Sequence, residues 1–270
     1  MSSFTHPIFD KVQTGDGSPT LRLKDNHRNE IMHHSQGAYT ETLTIYGKAL
    51  QEATRLVSGL ATNPSPEADH SAAPNSIKLR VLSLGLGVGY NEMLVSCMVG
   101  AKLELLWTYE SSTELVDHFV QWLQTSARGQ PIPSGPQDQW NQLYNEASEK
   151  FRCDFTGLQA NTIPSQLAEL RACEKWQIKG QLDGSSLSSA PTTADFHCLL
   201  YDAFSNRTSP ELWTEDFLNL FIQKFAAKTC AFATYAATGA LKRALKQNGF
   251  EVLKTPGFAG KRESTLAIRS

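Results

Sequence analysis

Residues 79–110 read LRVLSLGLGVGYNEMLVSCMVGAKLELLWTYE, and this stretch decides the fold. Its first six residues are apolar except for Arg80 and Ser83, which predicts a strand buried on both faces. The pattern then predicts a glycine-rich turn at 85–89, a helix at about 90–99 and a second strand at about 103–109. A strand, a helix and a second strand in this order predict a βαβ unit with a parallel strand pair.

The same alternation continues downstream. Helices are predicted at 111–124, 139–151, 163–174, 209–227 and 238–248, and strands at 176–182, 196–201 and 230–235. Ser111 with Glu114 forms a capping-box pattern, and Ser209 with Pro210 is a good pair for a helix start. The last twenty residues read as two strands of a hairpin. The sequence therefore predicts an α/β fold in which a mostly parallel sheet carries helices on both faces and ends on an antiparallel hairpin.

The residues before this unit divide in two. Residues 1–60 are predicted to form an N-terminal cap, with a small hairpin around the loop at 14–23 and a helix at 43–60. Residues 61–77 are rich in Pro, Ala and Ser, which indicates a linker or surface insertion. The α/β domain would then occupy residues 78–270.

The composition excludes several classes of protein. Across 270 residues, 25 Lys and Arg stand against 27 Asp and Glu, with a mean hydropathy of −0.32. This balance argues against a basic nucleic-acid coat protein, an acidic disordered tail protein and a polybasic membrane binder. No signal peptide and no membrane span is predicted, so a cytoplasmic protein is expected.

The sequence predicts no metal site. Its five cysteines form no CxxC pair, so neither a zinc knuckle nor a disulfide framework is indicated. His33 and His34 have no partner at ligand spacing and are expected to lie on a loop or at the surface.

The glycine turn indicates a nucleoside ligand. Gly85, Gly87 and Gly89 let the chain turn sharply and let a ligand approach the backbone, although such turns also serve packing. Tyr90 stands where a dinucleotide motif has its third glycine, which favours a smaller adenosyl ligand. Tyr90 and Asn91 begin the following helix, whose free N–H groups would face the ligand.

Carboxylates at strand ends supply the other candidate contacts. Glu110 lies 25 residues after Gly85, where it would accept both ribose hydroxyls. Asp202 ends the strand FHCLLY, and its position at the carboxyl end of a strand places it at the crevice of such a sheet, unless it only caps a turn. Gln181 and Asp183 lie at the end of another predicted strand and are candidates to meet the adenine amino group.

At these residues the chain resembles the MnmC-like methyltransferases, which use S-adenosyl-L-methionine (SAM) to methylate the aminomethyl group of wobble 5-aminomethyl-2-thiouridine in tRNA. The matching stretches are HSQGAYTET (34–42), LGLGVGYNE (84–92), LLYDAFSNRTSPELWTEDFLNLF (199–221), FATYAATGALKRALKQNGFEV (232–252) and PGFAGKRES (256–264). No flavin-dependent oxidoreductase domain, which some members carry, is recognised in the 270 residues, so the chain resembles the stand-alone type.

The resemblance implies a Rossmann-like class I methyltransferase fold with a seven-stranded sheet, and SAM as cofactor. It implies that Asp202 is the catalytic residue, orienting the substrate amine and taking its proton. Phe204 and Tyr235 would wall the substrate pocket, although core packing is an equal alternative for each. Tyr39 and Glu41 would close over the cofactor. The partner would be the anticodon stem-loop of tRNA.

Charge within the chain is uneven. Residues 238–270 carry seven Lys or Arg against two Glu, which leaves the rest of the chain acidic. Lys261 and Arg262 are candidates for contacts with tRNA phosphates, with an ordinary solvated turn as the alternative.

Three other functions are open. An aminopropyltransferase of the spermidine-synthase type would need further acidic residues to hold a polyamine, and the stretch AFSNRTSP (203–210) has none. A non-catalytic module that binds SAM or a nucleotide is the second, and a dehydrogenase is the third. Hydrolysis is not indicated, because no GxSxG turn is present.

Overall fold

The computed structural model describes residues 4–24, 29–62, 78–127, 136–190, 192, 195–260 and 263–270. The strands are β1 (Phe9–Gln13), β2 (Pro19–Leu23), β3 (Leu79–Leu84), β4 (Leu103–Tyr109), β5 (Trp176–Lys179), β6 (Phe196–Tyr201), β7 (Ala226–Thr234), β8 (Glu251–Pro256) and β9 (Glu263–Arg269). The α-helices are α1 (Ala38–Thr62), α2 (Tyr90–Met98), α3 (Thr113–Ala127), α4 (Pro136–Asp154), α5 (Thr162–Ala172), α6 (Gly184–Ser189), α7 (Glu215–Phe225) and α8 (Gly239–Gln247).

Seven strands form one sheet, in the order β5-β4-β3-β6-β7-β9-β8. The first five are parallel, and β9 pairs antiparallel with both β7 and β8. The predicted mostly parallel sheet with a C-terminal antiparallel hairpin is thus confirmed. From β3 the chain proceeds to β4 and β5 on one side, whereas β6 and β7 extend the sheet on the other. The carboxyl ends of β3 and β6 therefore flank a switch point, which is where ligands bind in open α/β sheets.

Alternate residues of the central strands enter two separate cores. On β6, Cys198 and Leu200 join the core on one face, and Leu199 and Tyr201 join the core on the other. Since successive strand side chains point to opposite faces, this division shows that the sheet is covered on both sides. Helices α1–α5 contribute to the first core, and α7 and α8 contribute to the second.

The N-terminal residues form the predicted hairpin and helix. Strands β1 and β2 pair antiparallel, with Phe9 opposite Leu23. Helix α1 begins five residues before the predicted start and packs on β6, β7 and α2, and its Ile45 and Leu50 lie in the first core. The N-terminal part is therefore joined to the sheet by its helix.

Two predicted helix starts are wrong. The Ser111–Glu114 capping box does not form: Ser112 Oγ accepts the Leu115 N–H, and Glu114 pairs with His6 instead. The stretch after Ser209 forms only a short 3₁₀ turn, Pro210–Trp213, and Thr214 caps α7 by accepting the Phe217 N–H. A cap is decided by which hydroxyl reaches the first free N–H, and a neighbouring Ser or Thr competes for that position.

Candidate active site

A cavity of about 480 Å³ opens at the carboxyl ends of β3, β4 and β6. Its wall comprises the glycine turn, the ends of these strands, residues 30–35 of the N-terminal part, and the loop after Asp202. The volume lies within the range of small-molecule sites. The cavity therefore lies at the switch point that the topology indicates.

The glycine turn has no room for side chains at two positions. Gly85 has φ +97°, and a Cβ there would lie 2.5 Å from the carbonyl oxygen of Asp202. Gly89 has φ +81°, and a Cβ there would lie 2.2 Å from the ring of Phe119. Gly85 and Gly87 line the cavity, and Gly89 does not. Gly89 therefore serves the packing of α2 against α3.

Glu110 is fixed by backbone groups on two sides. Its Oε2 accepts hydrogen bonds from the N–H groups of Leu86 (2.9 Å) and Gly87 (3.2 Å). Its Oε1 accepts the N–H of Ser112 at 2.8 Å. Ser111 Oγ also donates to Oε1 at 3.4 Å, so the roughly four lone-pair positions of the carboxylate all have a partner, and a ligand hydroxyl would have to displace this longest bond. The predicted ribose acceptor thus lies in the cavity wall, oriented by the turn that it supports.

Asp202 lies in the same wall and is held from behind. Its N–H donates to the carbonyl of Leu84, and Asn91 Nδ2 donates to its Oδ2 at 3.0 Å. Asn91 is only 2% exposed and does not line the cavity. Its predicted contact with the cofactor is therefore replaced by a contact that orients Asp202.

Two further buried groups adjoin Asp202. Burial raises the pKa of Glu92 to about 7, and the charge of Asp202 adds to this rise, although a hydrogen bond from Thr108 Oγ1 to Glu92 Oε1 (2.8 Å) opposes it. Burial and the Asp202 carboxylate raise the pKa of Tyr46 well above its ordinary value. Near neutral pH a large share of Glu92 is thus protonated, which reduces its repulsion of Asp202.

Phe204 and Tyr235 both line the cavity. The Tyr235 hydroxyl donates to the carbonyl of Ala203 at 2.9 Å, and Trp213 Nε1 donates to the carbonyl of Phe204 at 2.6 Å. Both aromatic rings are only partly buried. Phe204 thus lines the cavity, whereas Tyr235 lines it and also packs against both cores.

Three residues predicted to bind the cofactor have other roles. The Tyr90 hydroxyl donates to the carbonyl of Pro19 at 2.8 Å, and its side chain is buried outside the cavity wall. The Tyr39 hydroxyl donates to Asp154 at 2.8 Å. Asp183 is the N-cap of α6 and accepts the N–H groups of the first turn, which lower its pKa to about 2. These interactions turn the three side chains towards the hairpin, α4 and α6 respectively.

Other predicted residues lie in the wall or outside the described ranges. Glu41 lines the cavity and accepts the N–H of His34 at 2.6 Å. Gln181 also lines it, two residues before Asp183. Lys261 and Arg262 lie outside the residues that the structure describes.

Glu30 also lines the cavity, although no sequence motif points to it. Its carboxylate binds Ser205 and Thr208, which are 175 and 178 residues away in the sequence. Contacts at such a distance leave no local pattern, so only the fold reveals them.

The paired histidines have structural contacts. His33 Nδ1 lies 2.7 Å from Thr20 Oγ1, and burial lowers the pKa of His33 to about 4. Within the described ranges, no three His, Cys, Asp or Glu side chains come together as metal ligands. No helix in the described parts of the chain is long and apolar enough to cross a bilayer.

Three of the five basic residues that the structure describes within 238–270 are engaged within the protein. Lys242 pairs with Glu263, and Arg243 pairs with Glu215. Arg269 donates to the carbonyls of Ala226, Ala227 and Asn248, which makes it a structural residue. The predicted basic surface is therefore smaller than the charge count indicates.

Comparisons with known proteins find methyltransferases among the similar proteins. The family model for S-adenosyl-L-methionine-dependent methyltransferases matches residues 183–270. The bifunctional tRNA 5-methylaminomethyl-2-thiouridine biosynthesis protein MnmC of Hydrogenovibrio crunogenus is 27% identical over 248 residues, which cover 87% of this chain and 33% of that protein. The protein of the same name from Hahella chejuensis is 43% identical over 67 residues, or 25% of this chain and 10% of that one. The chain thus spans at most about a third of these two relatives.

Solved structures show the same fold. The structure of MnmC2 from Aquifex aeolicus has a TM-score of 0.57 at 20% identity, covering 98% of this chain and 72% of that one. A spermidine synthase has a TM-score of 0.52 at 11% identity, covering all of this chain and 73% of that one. The expected Rossmann-like methyltransferase fold is confirmed, and the predicted resemblance with it: the chain is similar to MnmC over most of its length, and its residues 183–270 match the S-adenosyl-L-methionine-dependent methyltransferase family.

Proposed function

We propose that the chain is a SAM-dependent N-methyltransferase that acts on the aminomethyl group of wobble 5-aminomethyl-(2-thio)uridine in tRNA. The observation that carries this proposal is the position of Asp202. It lies at the carboxyl end of β6, in the same cavity wall as Glu110 and the glycine turn, with Asn91 bound to one of its oxygens. The similarity to MnmC proteins supports the substrate.

The polar groups of the wall fit SAM. Gly85 and Gly87 expose backbone to the cavity, Glu110 would accept a ribose hydroxyl in place of Ser111 Oγ, and Gln181 offers both a donor and an acceptor to adenine. Tyr109 and Leu182 add apolar surface beside them for the purine ring. When bound, SAM supplies a methyl group already activated by the sulfonium charge.

The residues of the site would have to present the substrate amine in its neutral form. Asp202 would accept a hydrogen bond from the substrate amine and take its proton, since only the neutral amine attacks. Asn91 donates to Oδ2 of Asp202 and would hold the carboxylate in the orientation that the substrate amine needs. Phe204 and Tyr235 would flank the uracil and exclude water. Positioning of this kind can lower the activation free energy of the transfer by up to roughly 7–11 kcal/mol.

The anticodon stem-loop of tRNA is the proposed partner. The cavity of about 480 Å³ would have to hold SAM as well, so the wobble nucleotide would have to leave its stack and present its base alone beside Asp202. Lys261 and Arg262 remain the proposed phosphate contacts, and the cytoplasm remains the proposed location. Residues 1–60, 61–77 and 78–270 remain the proposed cap, linker and methyltransferase domain.

One observation favours the alternative aminopropyltransferase. The fold adds Glu30, Glu41 and Glu211 to a cavity wall that already contains Glu110 and Asp202, and a polyamine is a cation. However, Glu30 and Glu41 accept hydrogen bonds from the protein itself, which occupies acceptor positions that a polyamine would need.

The two functions are separated by paired assays on the same preparation. One assay supplies methyl-labelled SAM with tRNA that carries 5-aminomethyl-2-thiouridine, and the other supplies decarboxylated SAM with putrescine. We expect label in the tRNA and no aminopropyl product. Spermidine without tRNA labelling would replace the proposal with the alternative.

A further inference from the structure

Glu30 connects the N-terminal hairpin to the loop after Asp202, here called the crevice loop (residues 203–209). Ser205 N–H donates to Glu30 Oε1 at 2.9 Å, and Ser205 Oγ donates to Oε2 at 2.9 Å. The hydroxyl of Thr208 also donates to Oε2. One carboxylate thus holds three donors of this loop.

The crevice loop is also held by hydrogen bonds from two aromatic side chains outside the N-terminal part of the chain. Tyr235 and Trp213 donate to the carbonyls of Ala203 and Phe204, the two residues that follow Asp202. Glu30 takes the next residue, Ser205. The backbone around Phe204 is therefore held at residues 203 and 204 by Tyr235 and Trp213, and at Ser205 by Glu30.

The position of Glu30 is itself set by the hairpin. The carbonyl of Glu30 accepts the N–H of Leu23, and Met32 N–H donates to the carbonyl of Leu21. The backbone of residues 30–32 thus lies antiparallel beside β2, joined to it by a single β-bridge between Arg22 and Ile31. Its contacts with β2 fix the Glu30 carboxylate relative to the sheet.

We propose that Glu30 is a positioning residue for the methyl transfer, acting through the crevice loop to place Phe204 and the substrate beside Asp202. The expected effect on kcat/KM for tRNA rests on the proposed function, whereas the role of Glu30 in holding the crevice loop does not. It makes the N-terminal hairpin a part of the substrate site. Glu30 would affect the substrate and not the cofactor, whose proposed contacts lie at and just after the carboxyl ends of β3, β4 and β5.

The test uses Glu30→Ala and Glu30→Gln in the full chain. Gln can still accept from Ser205 N–H and can donate to the two hydroxyls, so it should retain much of the function. We expect Glu30→Ala to lower kcat/KM for tRNA about 10- to 100-fold, as a displacement of about 1 Å can do, with SAM affinity changed less than about threefold. Glu30→Gln should recover most of this loss.

A matched control lies on the same hairpin. Asp10 pairs with Arg22 and Lys24 and does not line the cavity, so Asp10→Ala should leave kcat/KM for tRNA and the affinity for SAM unchanged. The pair Ser205→Ala with Thr208→Val, combined with Glu30→Ala, should cost no more than Glu30→Ala alone, because all three act through one set of hydrogen bonds.

Hydrogen exchange at the crevice loop tests the inference without any activity. Glu30→Ala should raise the exchange rate of the Ser205 amide at least tenfold, whereas Asp10→Ala should not change it. Equal exchange in the two variants, additive losses in the combined variant, or a loss of SAM affinity that parallels kcat/KM would overturn the inference. If the unaltered protein methylates no tRNA but the exchange result holds, the proposed function fails and the role of Glu30 in the loop remains.

Discussion

At the scale of single residues, the site depends on how Asp202 is surrounded. Asn91 binds one oxygen, while Tyr46 and the partly neutral Glu92 lie behind it. The strand end and the preceding apolar run made Asp202 predictable from the sequence. Asn91 was recognised as a helix-start residue, but its actual contact, 111 residues away, depends on the pairing of β3 with β6.

Asp202→Asn should lower the rate of methyl transfer by about 10²- to 10⁴-fold, because the amide cannot take a proton. SAM affinity should stay within about threefold, since Asp202 is not among the proposed cofactor contacts. Single-turnover methylation and equilibrium SAM binding measure the two effects. The exposed Asp117 on α3 offers the same chemical change as a control, and Asp117→Asn should transfer methyl groups normally. Full activity of Asp202→Asn would remove this residue from the mechanism.

Glu92→Gln should change how stability depends on pH. The folded-state pKa of about 7 lies above the ordinary value of 4.5. The unfolded chain therefore releases this proton at lower pH than the folded protein, and stability is lost as pH rises from about 4.5 to 7. Gln avoids this loss, so the variant should gain up to about 3 kcal/mol in unfolding free energy, relative to the unaltered protein, between pH 4.5 and pH 8.

Urea unfolding at several pH values measures this difference. The exposed Glu251 on β8 offers the same chemical change as a control for the substitution itself. A constant offset between Glu92→Gln and the unaltered protein would contradict the raised pKa.

At the scale of elements, the glycine turn is both a ligand site and a packing device. Gly85 and Gly87 line the cavity, whereas Gly89 lies against Phe119 on α3. The sequence predicted the turn because glycine is required where φ is positive. It did not separate the two roles, because that separation depends on which element packs above each glycine.

Gly89→Ala should destabilise the protein by about 3 kcal/mol or more, because a strained φ and a clash with Phe119 add together. Gly157→Ala is the matched control: its φ is +87°, but no atom lies within 4 Å of the added Cβ, so only the strain of about 1–2 kcal/mol remains. The denaturation midpoints in urea compare the two. Equal losses of stability in the two variants would show that the Phe119 ring moves aside without cost, which would contradict the prediction.

At the scale of the whole molecule, a mostly parallel sheet with an antiparallel hairpin at its end was predictable from alternating patterns, but the site is completed by distant parts. Glu30 and Glu41 reach the cavity because the hairpin and α1 pack on the sheet. Charge is also redistributed, since Lys242, Arg243 and Arg269 are satisfied within the fold. A sequence count of charges cannot anticipate such pairing.

Lys261→Ala should therefore weaken tRNA binding more than Arg243→Ala, whose guanidinium pairs with Glu215. If Lys261 contacts one phosphate, its loss should reduce the slope of log affinity against log salt by roughly 0.7–0.9. Binding titrations at several salt concentrations measure this slope. An unchanged slope would remove Lys261 from the proposed interface.

The central claim is tested most directly by nucleoside mass spectrometry. The protein is incubated with methyl-labelled SAM and tRNA that carries 5-aminomethyl-2-thiouridine, and the digested nucleosides are then analysed. The account predicts labelled 5-methylaminomethyl-2-thiouridine with the unaltered protein and almost none with Asp202→Asn. An absence of this labelled nucleoside, or label on any other nucleoside in its place, would contradict it.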